Sequence, residues 1–175
     1  MKTLYTIGDS FTYGDELDDP KHAWPYILGD LMGYRVDNLA RNGASNDYIL
    51  QTTVEYLETN TPDCVIVAWT TEDRIDIGGK SATVNHDPHV FRNWDIDWAC
   101  NKLQTQIITM EKYVLRDYNS WHCATWIDPH YFHSMDNYIG RFVEWVYGMP
   151  HGVMGHPLQQ GHERIAHEIV KRFRD

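Results

Sequence analysis

The feature that most constrains the fold of this chain is a regular alternation of short β-rich runs and longer stretches with helical spacing. Residues 2–7 are β-prone and end at a glycine, and three more β-rich runs follow at 35–38, 63–68 and 121–127. Apolar residues with helical spacing occur between or after these runs, at 23–32, 48–57, 98–116 and beyond Pro157. This alternation predicts right-handed crossovers and a mainly parallel sheet between two layers of helices.

One compact domain over residues 1–175 accounts for the length. The chain is 42% hydrophobic and 23% charged, close to globular averages, so it can bury a core. Two stretches, 75–97 and 128–155, are longer than minimal connections, and both leave the ends of β-rich runs. We expect them to form the walls of a ligand site, because ligands bind beyond the carboxyl ends of parallel strands.

Charge and cysteine content limit the partners and the compartment. The 15 basic residues against 25 acidic ones give a net charge of −10, which disfavours nucleic acid as a partner. The longest apolar run, 64–69, is far short of the ~20 residues of a membrane helix, and the first residues lack the apolar region of a signal peptide. Three widely spaced cysteines, Cys64, Cys100 and Cys123, favour buried reduced thiols. We therefore expect a cytoplasmic protein without membrane partners.

The segment Gly8-Asp9-Ser10-Phe11-Thr12-Tyr13-Gly14 follows the first predicted strand. A serine at a tight strand-to-helix turn has the exposure and the backbone N–H that a nucleophile needs. The same residues could simply cap a turn, or the glycine-flanked loop could hold a phosphate or a flavin as in nucleotide-binding folds. The segment lacks the endings of both the P-loop and the dinucleotide fingerprint.

Among ten histidines, His156 has the most suggestive position. It lies immediately before Pro157, which is predicted to begin the last helix, and so on a loop above the sheet. From there it could reach Ser10 as a general base. His162 and His167 lie within the helix and are expected to face solvent or to lie behind the site.

Other aromatic and histidine clusters have a plain structural interpretation. The segment from Asn85 to His89 and the pair His130 and His133 carry metal-ligand types, but their loop context favours ordinary polar loops and no metal site. Trp94 and Trp98 flank a long loop, where their rings could stack on a sugar or an acyl chain.

Three motifs together resemble the SGNH, or GDSL, hydrolases over nearly the whole chain. They are Gly8-Asp9-Ser10, a block around Asn42-Gly43, and His156-Pro157 followed by Gly161-His162. The resemblance implies a flavodoxin-like three-layer α/β/α sandwich with about five parallel strands. It also implies ester hydrolysis without a metal or an organic cofactor.

By this resemblance Ser10 is the nucleophile and His156 the general base that takes its proton. The backbone N–H groups of Ser10 and Gly43 would then stabilise the tetrahedral oxyanion. Gly43 could also be a plain loop glycine that allows positive φ.

The sequence departs from the family pattern at the third block, where the family has Gly-x-Asn-Asp and this chain has Thr70-Thr71-Glu72-Asp73. An ionised Glu72 cannot donate to an oxyanion, so it is protonated, turned toward Arg74, or outside the site. The substitute donors are the hydroxyls of Thr70 and Thr71 and the amides of Asn42 and Asn46.

A second departure concerns the acid that orients the histidine. The family has an aspartate three residues before it, where this chain has Val153. A backbone carbonyl near Val153, or Asp128 or Asp136 from the preceding stretch, could replace that acid; otherwise a Ser10-His156 dyad remains. Asp9, beside the nucleophile, is a further supporting candidate.

The function predicted from these residues is hydrolysis of a small acyl ester, with an O-acetylated carbohydrate as one candidate substrate. The two departures also resemble bacteriophage-encoded members of the family, which favours a glycan. A different class remains open: a catalytically degenerate module that binds a glycan or a protein partner. A flavodoxin-like nucleotide binder is a third alternative.

Overall fold

A computed structural model describes residues 1–77, 80–83, 92–128 and 130–173 of the chain. Its sheet has five parallel strands in the order β2-β1-β3-β6-β7. Their bounds are β1 Thr3–Ile7, β2 Arg35–Asn38, β3 Cys64–Trp69, β6 Ser120–Ala124 and β7 Tyr138–Arg141. A separate antiparallel pair is formed by β4 Arg74–Ile77 and β5 Lys80–Thr83. The predicted parallel sheet of about five strands is confirmed.

The helices connect these strands and cover both faces of the sheet. They are α1 Ser10–Tyr13, α2 Trp24–Met32, α3 Asn46–Leu57, α4 Ile96–Thr109, α5 Phe142–Trp145 and α6 Gln159–Arg172. Short 3₁₀ turns occur at Pro20–His22 and His130–Ser134, and a π turn at Met110–Val114 extends α4. No helix within the described ranges is long and apolar enough to cross a membrane.

Alternate residues of the strands supply two separate cores, as the pleat of a β-strand requires. On one face, Leu4 and Ile66 pack against α2, α5 and α6 through residues such as Trp24 and Ile165. On the other face, residues including Tyr5, Val65 and Val67 pack against α3 and α4. All six residues of β3 are buried, because this central strand is covered on both sides. The three-layer α/β/α arrangement is therefore confirmed.

Several element boundaries differ from the sequence prediction. The last helix begins at Gln159 with Leu158 as its N-cap, so Pro157 lies outside it; a β-bridge to His151 holds Pro157 in an extended conformation. The stretch 128–155 contains β7 and α5, which the sequence did not predict. Each has only four residues, which is too short for a periodic pattern to be recognised.

Two smaller predictions also differ from the structure, and a third is not tested by it. Cys64 and Cys123 are buried free thiols as expected, but Cys100 is exposed. His162 is fully buried and its Nδ1 accepts a hydrogen bond from the Trp24 N–H, so it does not face solvent. The histidines of the segment 85–89 lie outside the described residues.

Gly8 shows why the strand-to-helix turn needs a glycine. A Cβ at this position would lie 2.4 Å from Thr12 Oγ1 and 2.9 Å from the Ala68 Cβ. We expect Gly8→Ala to lower the free energy of unfolding by about 1–3 kcal/mol, because overpacking forces β1 away from β3. Urea denaturation measures this change, and an unchanged midpoint would contradict the close approach.

Candidate active site

Ser10 lies at the carboxyl end of β1, as the first residue of α1. The Asp9 carboxylate caps this helix by accepting a hydrogen bond from the Phe11 N–H at 3.1 Å. Ser10 is only 3% exposed, and its hydroxyl has no hydrogen-bond partner among the described residues. The first amides of a helix have no partner within it, so the Ser10 N–H remains available to an anion. The turn thus places a free hydroxyl and a free amide together.

His156 is oriented by Glu16, a residue that the sequence analysis did not single out. Glu16 Oε2 lies 2.9 Å from His156 Nδ1 and accepts a second bond from the His156 N–H at 3.2 Å. The Met154 N–H donates to both carboxylate oxygens, at 2.9 and 3.0 Å. Asp15 Oδ2 is more distant, 3.7 Å from His156 Nδ1. Glu16 therefore makes the contact to His156 that an orienting acid would make.

Glu16 also has an unusual backbone. Its φ of 64° makes it the only non-glycine residue with positive φ in the part of the chain that the structure describes. Such a conformation is unfavourable for a side chain with a Cβ and is retained where surrounding contacts impose it. Here the contacts are those to Met154 and His156, and Gly152 packs so closely that a Cβ there would lie 2.5 Å from the Glu16 carboxyl.

The charge of Glu16 determines which nitrogen of His156 can act as a base. The Met154 N–H, and then His156 itself, lower the pKa of Glu16, so this group is an ionised acceptor at neutral pH. His156 Nδ1 then donates to Glu16, which leaves the lone pair of the neutral ring on Nε2. Nε2 has no hydrogen-bond partner among the described residues. This is the tautomer that a general base requires.

The proposed replacements for the missing acid, Asp128 and Asp136, do not hold His156. Asp128 pairs with His133 at 3.0 Å and with Arg141 at 4.0 Å. Asp136 lies beside Glu111 and Lys112 in a different pocket. Val153 is 99% exposed, because the loop before His156 turns its side chain outward while its backbone closes over Glu16. The prediction of an acid from the preceding stretch was wrong.

Phe11 follows Ser10 in the chain and packs against the His156 ring, so it links the two candidate residues. The Phe11 ring contacts the His156 ring at a centroid distance of 5.9 Å and the Trp126 ring at 5.1 Å, edge to face in both pairs. Phe11 directly follows Ser10, and Glu16 belongs to the loop that follows α1. One short segment, residues 10–16, therefore supplies three things: the Ser10 hydroxyl, the Phe11 ring that packs against His156, and the Glu16 carboxylate.

Gly43 lies in a loop fixed beside the end of β1. The Arg41 N–H donates to Gly8 O at 3.2 Å, and the Ala44 N–H donates back to Arg41 O at 3.1 Å. Gly43 has φ 69°, so a glycine is favoured there, and its N–H has no hydrogen-bond partner among the described residues. Its N–H remains a candidate oxyanion donor beside that of Ser10.

The other candidate donors are engaged elsewhere. The Asn46 side-chain amide donates to the carbonyls of Thr70 and Thr71 and accepts from the Thr70 N–H, so it ties the third block to α3. The Thr70 hydroxyl donates to Asp9 Oδ2 at 2.7 Å, and the Thr71 hydroxyl bonds to Asp73. Because these protons already have carboxylate or carbonyl acceptors, Asn46, Thr70 and Thr71 stabilise the loops and are poor candidates for a third donor.

The side chains of Glu72 and Asn42 also make contacts other than those expected from the sequence. Glu72 lines a pocket of about 410 Å³ with Cys100, Leu103 and Ile127, and it makes no ion pair with Arg74 among the described residues. The Asn42 side chain donates to Asp15 Oδ2 at 2.7 Å. The glutamate that replaces the family asparagine thus lines this pocket and does not pair with Arg74 among the described residues.

The Arg74 side chain contacts residues of three blocks: the Gly8-Asp9-Ser10 motif, the block around Asn42-Gly43, and the third block. Its Nη1 lies 3.4 Å from Asp9 Oδ2, 3.1 Å from Thr70 Oγ1 and 3.4 Å from Ala44 O. Asp9 is fully buried and also accepts a bond from the Thr125 hydroxyl at 3.0 Å. Burial raises the pKa of Asp9 above its ordinary value, while Arg74 opposes that rise. The guanidinium therefore compensates a charge buried directly beside Ser10.

We expect Arg74→Gln to lower the free energy of unfolding by about 3 kcal/mol at neutral pH, because it leaves the Asp9 charge buried and uncompensated. The loss of Arg74 raises the pKa of Asp9 further. The deficit is therefore largest where Asp9 is ionised in the wild type and shrinks as the pH falls through its raised pKa. Urea denaturation at neutral and mildly acid pH measures both effects. A deficit that stays constant in this pH range, or that persists in an Asp9→Asn background, would contradict the pairing.

The metal interpretation finds no support in the described part of the chain. No group of three or more histidine, cysteine, aspartate or glutamate residues there could hold a metal ion. The rings of His130 and His133 are 6.4 Å apart, and His133 pairs with Asp128. Trp94 and Trp98 pack edge to face at 6.2 Å, with Lys102 over the Trp98 ring.

Comparison with known proteins supports the fold. No protein-family model and no curated protein sequence matches this chain. Solved structures do match: the TesA structure has a TM-score of 0.66 at 18% identity, covering 98% of each chain. A member of the lipolytic protein G-D-S-L family from Veillonella parvula has a TM-score of 0.62 at 13% identity, covering 99% of each chain. The chain has the same α/β fold as these two structures.

A carbohydrate esterase also shares this fold. A family two carbohydrate esterase from Clostridium thermocellum, solved in complex with cellohexaose, has a TM-score of 0.65 at 14% identity. The match covers 99% of this chain and 63% of that one, so this chain spans less than two thirds of that esterase. At an identity this low, the structural match shows a common fold only. A fold by itself does not determine an activity.

Proposed function

We propose that this protein is a serine ester hydrolase with Ser10 as nucleophile, His156 as general base and Glu16 as the acid that orients it. The observation that carries the proposal is the contact of 2.9 Å between Glu16 Oε2 and His156 Nδ1. It supplies the acid that the sequence lacks at Val153, and it leaves Nε2 as the basic nitrogen. The proposal therefore includes a triad with Glu16 in place of a dyad without an acid.

The chemical steps follow from these roles. His156 Nε2 takes the Ser10 proton while Ser10 Oγ forms a bond to the ester carbonyl carbon. The Ser10 and Gly43 N–H groups stabilise the oxyanion of the tetrahedral intermediate. The intermediate collapses to an acyl-Ser10 ester as His156 returns the proton to the leaving alcohol. Water, activated by His156, then releases the carboxylic acid and restores Ser10.

The proposed substrate is a small, uncharged acyl ester, with an O-acetylated carbohydrate as the leading candidate. A net charge of −10 and the carboxylates Asp15 and Glu16 at the site disfavour an anionic substrate. The carbohydrate esterases that share the fold are consistent with a sugar ester. A single domain, a cytoplasmic location and the resemblance to bacteriophage-encoded members stay predictions from the sequence.

A covalent trap tests the proposal most directly. We expect a fluorophosphonate ester to label the protein with a stoichiometry of one, and peptide mapping by mass spectrometry to place the label on Ser10. The same sample should hydrolyse 4-nitrophenyl acetate, with activity falling as the label accumulates. Absence of both labelling and hydrolysis would overturn the proposal and favour the degenerate module that binds a glycan or a protein partner. Label on another residue would also overturn it.

A further inference from the structure

A second pocket lies next to the candidate active site. It has a volume of about 370 Å³ and is lined on one side by Phe11 and Pro157, the residues that directly follow Ser10 and His156. The other walls come from residues after β6 and β7, which include Trp126, Val143, Val146, Tyr147 and Met149. We call this cavity the Phe11 pocket. Its volume is near the lower end of the range for small-ligand sites.

The position of the Phe11 pocket relates it to one part of an ester. Gly43 belongs to the loop after β2, at one edge of the sheet, whereas Trp126 and Val143 follow β6 and β7 at the other side. An ester carbonyl attacked by Ser10 directs its oxygen toward Gly43. The leaving oxygen must instead face His156 Nε2, which protonates it. Gly155 and Pro157, the neighbours of His156 in the chain, line the pocket. The leaving alcohol therefore lies on the same side of the site as the pocket.

The lining of the Phe11 pocket indicates the kind of alcohol. No aspartate, glutamate, lysine or arginine is among the described residues that line it, and His151 is its one histidine, so apolar and neutral polar groups predominate and the pocket favours an uncharged group. Trp126 is 44% exposed and Tyr147 is 91% exposed, and the Trp126 ring is fixed by its edge contact with Phe11. Exposed aromatic rings in a pocket offer broad apolar surfaces with a polar edge, which match the C–H face and the hydroxyls of a sugar ring.

We propose that the Phe11 pocket binds the alcohol moiety of the ester, as a single sugar ring stacked on Trp126 and Tyr147. The assignment rests on the proposed ester hydrolysis for its placement beside the leaving oxygen. Sugar binding itself does not need turnover, so the two can be tested apart. The pocket would make the enzyme selective for the alcohol and tolerant of small changes in the acyl group.

The binding test uses methyl glucoside, which cannot be hydrolysed as an ester. We expect saturation-transfer NMR to detect its ring protons with wild-type protein, and the signal to fall with Trp126→Ala and with Tyr147→Ala. Tyr113→Ala is the matched control, since Tyr113 is 79% exposed and lies in the π turn near the start of the strands, away from the site. Because Tyr147 is so exposed, its variant should fold even if Trp126→Ala does not. No sugar signal with the wild type, or equal signals in all variants, would overturn the assignment.

The kinetic test separates alcohol from acyl recognition. For an acetylated methyl glucoside, we expect Trp126→Ala and Tyr147→Ala to raise KM about three- to tenfold, because each removes one aromatic contact. For ethyl acetate, which has the same acyl group and no ring, KM should change less than twofold. Variants that instead alter the preference for acyl length would show that the pocket binds the acyl group and would overturn the proposal. A wild type that binds the glucoside but hydrolyses no ester would refute the proposed function and leave the sugar site standing.

Discussion

Replacing Ser10 by alanine should lower kcat/KM for 4-nitrophenyl acetate by ~10⁵, close to the loss seen when a serine hydrolase loses its nucleophile. The Ser10 hydroxyl and the Ser10 N–H lie together at the end of β1, and neither has a hydrogen-bond partner among the described residues. Alanine removes that oxygen and leaves the α1 amides in place. Residual activity would come from the oxyanion donors and from binding alone.

Two controls make the Ser10 result specific. Ser120→Ala removes a hydroxyl at the start of β6, at the opposite end of the sheet, and should keep full activity. The thermal midpoint of Ser10→Ala should match the wild type, because this hydroxyl makes no hydrogen bond among the described residues. A loss of less than tenfold in the Ser10 variant would remove Ser10 from the mechanism.

Replacing Glu16 by glutamine should lower kcat by ~10³–10⁴, with a much smaller change in KM. Glutamine has nearly the same shape and can still accept from the Met154 N–H. It cannot stabilise the imidazolium that forms when His156 takes the serine proton, and its amide favours the tautomer with the lone pair on the wrong nitrogen. Steady-state kinetics over a range of pH measures the loss.

Two other substitutions isolate the charge of Glu16. Asp18→Asn removes an exposed carboxylate from the same loop and should leave kcat within twofold. Glu16→Asp keeps the charge but shortens the side chain, and it should recover part of the activity that glutamine loses. If Glu16→Gln retained at least a third of the wild-type kcat, Glu16 would be a structural tie and His156 would act without an acid.

The sequence was sufficient to predict four of the five strands of the sheet, because these four are marked by local signals. The runs before Gly8 and around 64–69 are β-rich and apolar, and the helices between them carry regular apolar spacing. The elements that were missed, β4, β5, β7 and α5, are each four residues long and depend on tertiary contacts. Gly140 in β7 adopts φ 123° against the Trp145 ring, and no local pattern indicates that contact.

Glu16 escaped prediction for a related reason. It lies 140 residues before its partner His156, and it is one of 25 acidic residues in the chain. The family pattern directed attention to the residue three positions before the histidine, where this chain has Val153. A useful signal was present nonetheless: Asp15 and Glu16 directly follow the Ser10 segment and its terminal Gly14. Acids in that position return to the same end of the sheet as the nucleophile.

The contact between Glu16 and His156 also links the proposed catalysis to tertiary folding, because the two residues are 140 positions apart in the chain. Until the loop that carries His156 has packed against Glu16, Ser10 would lie on its turn without a base to activate it. Ester cleavage, as proposed, would therefore begin only after this long-range contact has formed, and partly folded chains would be inactive.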